Sequence, residues 1–595
     1  MQKYSVNQYQ ISNILNWVES GEVALPEIQR PFVWSSTKVR DLLDSLYRGY
    51  PIGYVISWRN PDVRTKDGSL SAGRKILIDG QQRVTALRAA VLGHSVVNKE
   101  YKEIRIRISF NPLTEEFATL TPAIEKDSLW INDISEVLSQ DSSLLERVGD
   151  YLEANPETDR KLVEKRFTKL LEIKNKPVGF IELESTLDIE TVTEIFIRIN
   201  SKGMILSQAD FVMSKIASYG EFGVNLRKLI DYFCHLAREP HFYKHIAQND
   251  EHFAASDYFQ KILWLKNESD DLYDPSYSDV IRVAFTKEFG RGKLPDLVSL
   301  LAGRNFETRT YEEQITKNSF KKLEKGILHF VSEFDFKQFA MLIKSTGFVS
   351  PNLIRSRNAL NFAYALYLRL RDQKFDPNSL NKLVARWFVM SIITSRYTAA
   401  SESQIDEDIR LISRRGLIAA LEGVEKSLLT DAFWEVGLPQ ELDKAGSNNP
   451  MLSVFFASQA KAKNKGFLSS DILVGDMIQL RGDIHHVFPN DYLKKSGVER
   501  DRINQIANFV YAETGINVRI GNKSPKQYFK EVQNQMSGGA LRYGSIADKA
   551  ELTKNLRQNC IPPTIFEMEF GDYENFLEQR RKLMAQKIQK YYQSL

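Results

Sequence analysis

Between residues 205 and 440 apolar side chains recur at three- and four-residue spacing, as in Leu360, Phe362, Ala363, Leu366, Leu368 and Leu370, with few strand candidates between them. That period lines one face of a helix, whereas a strand alternates at every second residue. Residues 140–175 repeat the helical pattern. The first 110 residues differ: the short runs Tyr54–Trp58 and Lys75–Ile78 read as strands, the second leading straight into a glycine and a helix. The expected fold is α+β and predominantly helical, with an α/β opening segment, a helical middle and a C-terminal domain over 446–595. The turn-forming stretch Lys444-Ala445-Gly446-Ser447-Asn448-Asn449-Pro450 is the candidate linker. At 595 residues the chain is long enough for about four cores of ordinary domain size.

Composition narrows the class without naming a partner. Eighty basic against 76 acidic side chains leave a net charge of +4, too small a surplus to imply nucleic-acid binding from bulk charge. The only cysteines, Cys234 and Cys560, lie far apart, which supports neither a disulfide framework nor a thiolate zinc site. No stretch approaches 18 uninterrupted apolar residues, and the opening MQKYSVNQYQISNILNWV lacks a signal-peptide core. A soluble cytoplasmic protein with no membrane partner is expected. No fixed-period repeat is present, so a solenoid is not expected.

Ile76-Leu77-Ile78-Asp79-Gly80-Gln81-Gln82-Arg83 reads as a buried strand ending in an acid and a glycine, followed by a helix through Val84, Leu87 and Val91. Amide groups at such a helix start face an anion, Gly80 permits close backbone approach, and Arg83 offers a bidentate contact. The plainer alternative is a strand–turn–helix in which Asp79 caps the helix and the glutamines are solvated. Gly68-Ser-Leu-Ser-Ala-Gly73-Arg74-Lys75 is no phosphate-binding P-loop, because arginine stands where lysine is needed and no Ser or Thr follows.

Two more segments accompany that run: Leu25-Pro26-Glu27-Ile28-Gln29-Arg30-Pro31-Phe32-Val33-Trp34 and Phe196-Ile197-Arg198-Ile199-Asn200-Ser201-Lys202-Gly203. In order and spacing the three resemble the N-terminal domain of the GmrSD-type restriction proteins and the related phosphorothioate-sensing SspE-like nucleases, over residues 10–215. The resemblance implies a ParB/sulfiredoxin-like domain that binds and hydrolyses a nucleoside triphosphate, ATP or GTP. Asp79, Gly80, Gln81, Gln82 and Arg83 then become nucleotide-site residues, with Gln29 and Arg30 lining the same pocket and Arg198 and Asn200 as secondary candidates. Met204 departs from the pattern, which has a small polar residue after Lys202-Gly203.

Near the other end, Arg481-Gly482-Asp483-Ile484-His485-His486-Val487-Phe488-Pro489 places two adjacent histidines on a candidate strand, in a chain with eight histidines in all. Asn508 and Asn517 follow, nine positions apart. This order resembles the HNH, or ββα-metal, nuclease motif, and residues 475–595 resemble the C-terminal domain of the same GmrSD and SspE families. The resemblance implies that His485 ligates a metal and His486 is the general base. It gives Asn508 the task of orienting that imidazole and Asn517 that of a carboxamide ligand, with Asn522 competing for the same role. The ion would be Mg²⁺ or Mn²⁺, although the donor set also admits other first-row metals, zinc included. The bland alternative is a buried polar contact beside turn asparagines.

Two weaker signals remain. His241 and His245 sit four apart but lack an accompanying Glu, so a solvated helix start explains them. Arg580, Arg581, Lys582, Lys587 and Lys590 form a basic run on the terminal helix, which either tracks a DNA backbone or is a solvated face, and Tyr591 and Tyr592 either stack on bases or cover a core. The expected function is an NTP-dependent, modification-sensing DNA endonuclease of anti-phage defence that acts on double-stranded, modified phage or host DNA. A double-strand break from one such module would call for a homodimer or successive nicks. The competing expectation is a DNA-binding regulatory protein with a phosphate-binding N-terminal domain and an inactive nuclease fold.

Overall fold

The computed structural model describes residues 3–24, 32, 34–59, 75–97, 103–138, 143–184, 187, 195, 208–217, 219–480, 482 and 484–595. The chain divides into two compact units, residues 1–267 and 268–595. Helices dominate the described residues and the strands are short, as the periodicity implies. Among the described residues no helix is long and apolar enough to cross a membrane.

The first unit is organised around a five-stranded sheet in the order Tyr4–Gln10, Pro177–Leu183, Tyr54–Arg59, Lys75–Asp79, Val23–Ala24. Tyr4–Gln10 runs antiparallel to Pro177–Leu183, with Tyr4 opposite Leu183, and Tyr54–Arg59 runs parallel to Pro177–Leu183, with Tyr54 opposite Gly179. Both strands read from the sequence are present. Tyr54–Arg59 is central, and Val55, Ile56, Ser57 and Trp58 are all buried, the signature of a strand covered on both faces. Lys75–Asp79 ends in Gly80, whose φ of 86° turns the chain directly into the helix Gln81–Val91. Val84, Leu87 and Val91 anchor that helix in the core with Leu77, Ile11, Leu15, Leu43 and Phe180. Each fully buried aliphatic chain contributes about 2 kcal/mol, so the turn is fixed by packing on both sides.

In the second unit the helices Tyr277–Phe289, Glu313–Phe330, Arg357–Asp372 and Pro377–Ile393 pack together. The predicted stripe Leu360, Phe362, Ala363, Leu366, Leu368 and Leu370 is buried. Buried Asn361 donates to Asp279 Oδ1 at 2.6 Å and accepts from the Tyr273 hydroxyl at 2.7 Å, so its polar groups are satisfied inside the bundle. The helix Pro450–Lys461 packs on Pro377–Ile393 and on the terminal helix Tyr573–Gln593. The segment read as a linker is bound to its neighbours: Gly446 N–H donates to Asn504 O at 2.9 Å, Ile506 N–H to Lys444 O at 3.0 Å, and Ala445 bridges Gln505.

Candidate functional site

Two three-residue strands carry the histidines. Ile484–His486 runs antiparallel to Phe509–Tyr511, with His485 opposite Val510 and His486 opposite Phe509, and the helix Thr514–Ile520 follows. His485, His486, Asn504 and Asn517 all line one cleft of about 1040 Å³ within the second unit. Adjacent strand residues ordinarily point to opposite faces; here both histidines reach the same hollow. His485 is buried, and His486 is half-buried with its ring 4.9 Å from that of Phe509. Burial holds the His486 imidazole below its ordinary pKa, the neighbouring His485 acts in the same direction, and a hydrogen bond with Asn504 opposes both.

That hydrogen bond corrects one assignment. The expected orienting residue, Asn508, does not bond His486. Asn508 is fully buried; its Oδ1 accepts from Phe488 N–H at 2.8 Å and its Nδ2 donates to Phe488 O and Ile503 O, each at 3.1 Å. It therefore pins the two ends of the intervening segment, and both of its amide N–H groups are used there. The side chain that meets His486 is Asn504, with Oδ1 3.0 Å from Nε2. Asn517 and Asn522 also separate: Asn517 lies in the helix and lines the cleft, whereas Asn522 is exposed beyond Gly521 and is not among the lining residues.

Sequence reasoning missed several lining residues. Arg355 and Arg500 are exposed at the cleft, and among the described residues neither makes an ion pair and Asp501 is the one acidic residue in the lining. Ala445, Gly446 and Ser447, from the stretch read as a linker, supply part of a wall. Asn504 had a faint signal, an Asn four residues before Asn508. Arg355 is 130 positions from His485 and had none.

The basic run on the terminal helix is largely committed to the protein itself. Arg580 is fully buried and donates to Ala507 O at 2.7 Å, Phe509 O at 2.8 Å and Asn559 O at 3.2 Å, so it braces the chain around Asn508 and cannot follow a DNA backbone. Arg581 pairs with Asp443 at 2.5 Å, Lys582 with Glu578 at 2.6 Å, and Lys587 donates to Asn464 Oδ1 and Gln558 O. Tyr591 donates to Thr346 O at 2.6 Å and Tyr592 bonds Glu425, so both cover the core. His241 is exposed, whereas His245 stacks on Phe242, whose other neighbour is His235 at 3.6 Å.

In the first unit the Asp79–Arg83 run forms one tight turn. Gly80 occupies the helix cap position in place of Asp79. Gln81 Nε2 donates back to Leu77 O at 2.8 Å, and Arg83 Nη1 donates to Tyr54 O at 2.7 Å. The Arg83 guanidinium lies against two glycines: a Cβ on Gly53 would stand 3.2 Å from Nη2, and one on Gly80 3.3 Å from Nη1. Burial lowers the Arg83 pKa, and the Asp79 carboxylate opposes the shift. Asp79, Gln81 and Gln82 are half-buried. Gln29, Arg30, Arg198 and Asn200 lie outside the described residues.

Along nearly its whole length the chain is similar to an uncharacterized protein of Methanocaldococcus jannaschii, MJ0686, at 23% identity over 635 aligned positions covering 97% of this chain and 98% of that protein. Residues 11–217, which contain four of the five sheet strands and the Asp79–Arg83 turn, match the family model for the N-terminal domain of the GmrSD restriction endonucleases.

Proposed function

We propose that the protein is a metal-dependent DNA endonuclease of the HNH (ββα-metal) type, with a ParB-like N-terminal domain that binds ATP or GTP and reports on modified DNA in anti-phage defence. The observation that carries the cutting site is the strand–strand–helix unit bringing His485, His486 and Asn517 to one cleft. The donor set fits a divalent cation: a buried imidazole and a half-buried carboxamide supply N and O ligands and leave the cleft side open to water. Mg²⁺ or Mn²⁺ held there by His485 and Asn517 would stabilise charge on the phosphate and the leaving oxygen.

The remaining chemistry belongs to the chain. With the Asn504 carboxamide oxygen as acceptor, His486 Nε2 carries the hydrogen and Nδ1 keeps its lone pair. Nδ1 removes a proton from water, the hydroxide oxygen bonds to phosphorus, and the P–O bond to the leaving sugar oxygen breaks, that oxygen taking its proton from solvent. A depressed pKa keeps His486 neutral, and so able to act as a base, at physiological pH. Arg355 and Arg500 hold flanking phosphates. In the N-terminal domain, the first-turn N–H groups after Gly80 face the nucleotide phosphates and Arg83 braces the turn.

A plasmid-nicking assay with Mg²⁺ or Mn²⁺, over unmodified and modified DNA with ATP, GTP or neither, tests the reading. Nicking is expected to require metal and to vanish in His486→Ala. Full activity of His486→Ala refutes the base, and cleavage indifferent to nucleotide and to modification refutes the switch.

A further inference from the structure

A second hollow in the 268–595 unit, of about 770 Å³, shares no lining residue with the histidine cleft. Its cations are Lys461 at the end of the helix Pro450–Lys461, Arg557 on Lys549–Gln558, and Lys587 and Lys590 on the terminal helix. No Asp or Glu lines it, and none of these four side chains has a carboxylate partner among the described residues; the two bonds that Lys587 donates, to Asn464 Oδ1 and Gln558 O, go to neutral oxygens and leave its charge uncompensated. The cationic surface continues outward: an adjoining hollow shares Thr553 and Arg557 and adds Lys549 and Lys554. Four like charges drawn from three helices repel one another unless an anion stands between them.

The rest of the lining is unlike a plain phosphate or sulfate site. Leu556, Ile561, Phe566 and Leu583 give it an apolar floor, and Ser458, Thr553 and Gln586 add hydrogen-bonding groups. Phe566 is half-buried, with one edge against Phe529 at 5.0 Å. Burial lowers the pKa of Lys461 and of Lys587, so a bound anion would relieve a cost these ammonium groups already bear. A pocket of this size with an apolar floor and a few convergent polar groups is the ordinary form of a small-ligand site.

We propose that this hollow binds a nucleoside phosphate, its phosphates held by Lys461, Arg557, Lys587 and Lys590 and its base resting on the floor beside Phe566. Multiple cations select a multiply charged phosphate over a single carboxylate, and an aromatic lining residue suits a planar base better than an alkyl chain. The shared chemistry has two sources, a free nucleotide or the phosphorylated end of a DNA strand.

Photo-crosslinking of the full chain with 8-azido-ATP, followed by peptide mapping, tests the proposal apart from nuclease activity and apart from any nucleotide bound by the 1–267 unit. Label is expected within residues 556–566 or 583–594. The double variant Arg557→Glu, Lys590→Glu alters two exposed side chains and is expected to lower labelling there roughly tenfold or more. Displacement at lower concentration by ATP identifies a free nucleotide, and at lower concentration by a 5′-phosphorylated oligonucleotide a strand end; both uphold the site. Absence of label in these segments, undiminished label in the double variant, or displacement by octyl phosphate as effective as by ATP would overturn it.

Discussion

An Arg580→Met substitution distinguishes an arginine that holds the histidine strands from one that tracks DNA, and two opposing effects set its size. Burial pushes the guanidinium pKa down to about 10, so it remains charged at neutral pH at a penalty of about 3 kcal/mol, which methionine removes. Against this, Ala507, Phe509 and Asn559 lose a donor to their carbonyls, and each orphaned buried acceptor costs about 1–3 kcal/mol. The two shorter bonds are charge-assisted and lie toward the upper end of that range. The carbonyl losses win, leaving a net destabilisation of about 2–4 kcal/mol around the strand Phe509–Tyr511. Hydrogen exchange read by mass spectrometry on peptides spanning 503–515 reports that region directly, and protection should fall by roughly thirtyfold to a thousandfold. Exchange unchanged within about threefold, together with a salt-dependent loss of DNA affinity, would refute the bracing role and restore the DNA-tracking one.

Asn504→Leu should slow nicking by about 10–100-fold with little change in the melting transition, because it frees the imidazole tautomer without emptying the core; an unchanged rate would show that His486 needs no such partner. Gly80→Ala should destabilise the 1–267 unit by about 1–2 kcal/mol, since its φ of 86° suits glycine and the added Cβ meets Val55 Cγ2 at 3.1 Å; wild-type stability in a denaturant titration would contradict it. His235 is buried with its pKa lowered to about 4, chiefly by desolvation, so the unfolded chain binds the proton more tightly. Its contribution is complete above the ordinary imidazole value of about 6.5 and is lost as pH falls toward 4, by about 3 kcal/mol at most. His235→Phe should flatten that part of the melting-temperature profile, and an unaltered acid limb would assign the loss to other groups.

What the sequence discloses follows from how local the cause is. The turn from Leu77 through Gly80 into Val84 and Leu87 is a change of period at one glycine, and it appears as read. The paired histidines and Asn517 are likewise close enough in the chain for their order to carry information. The choice between Asn504 and Asn508 was not visible, because two asparagines four apart differ only in which one the fold turns toward Phe488 and which toward His486. Arg580 did leave a signal that charge counting hid: it follows Phe576 and Leu577 by four and three residues and precedes Met584 by four, which places it inside the buried stripe of its helix. The Lys444–Pro450 stretch has the composition of a linker, but its backbone groups are bonded to 504–506, a long-range pairing that no local pattern reveals.

The histidine strands are too short to hold their own register. Three paired residues make a hairpin that is marginal in isolation, and a slip by one residue would replace each histidine's position with that of its neighbour in the chain, so that one histidine takes the other's place. If the two imidazoles have different tasks, that slip destroys the site. Register is instead set by buried polar groups outside the ladder: Asn508 ties Phe488 to Ile503, Arg580 holds the carbonyls of Ala507 and Phe509, Tyr528 donates to Val487 O at 3.0 Å, and Tyr573 donates to Arg502 O at 2.9 Å. Each of these contacts is specific to one carbonyl or N–H, so none survives a shift along the strand. An apolar core of equal area would stabilise the strands without distinguishing one register from the next, which is a physical reason for burying an arginine and an asparagine immediately behind the cleft.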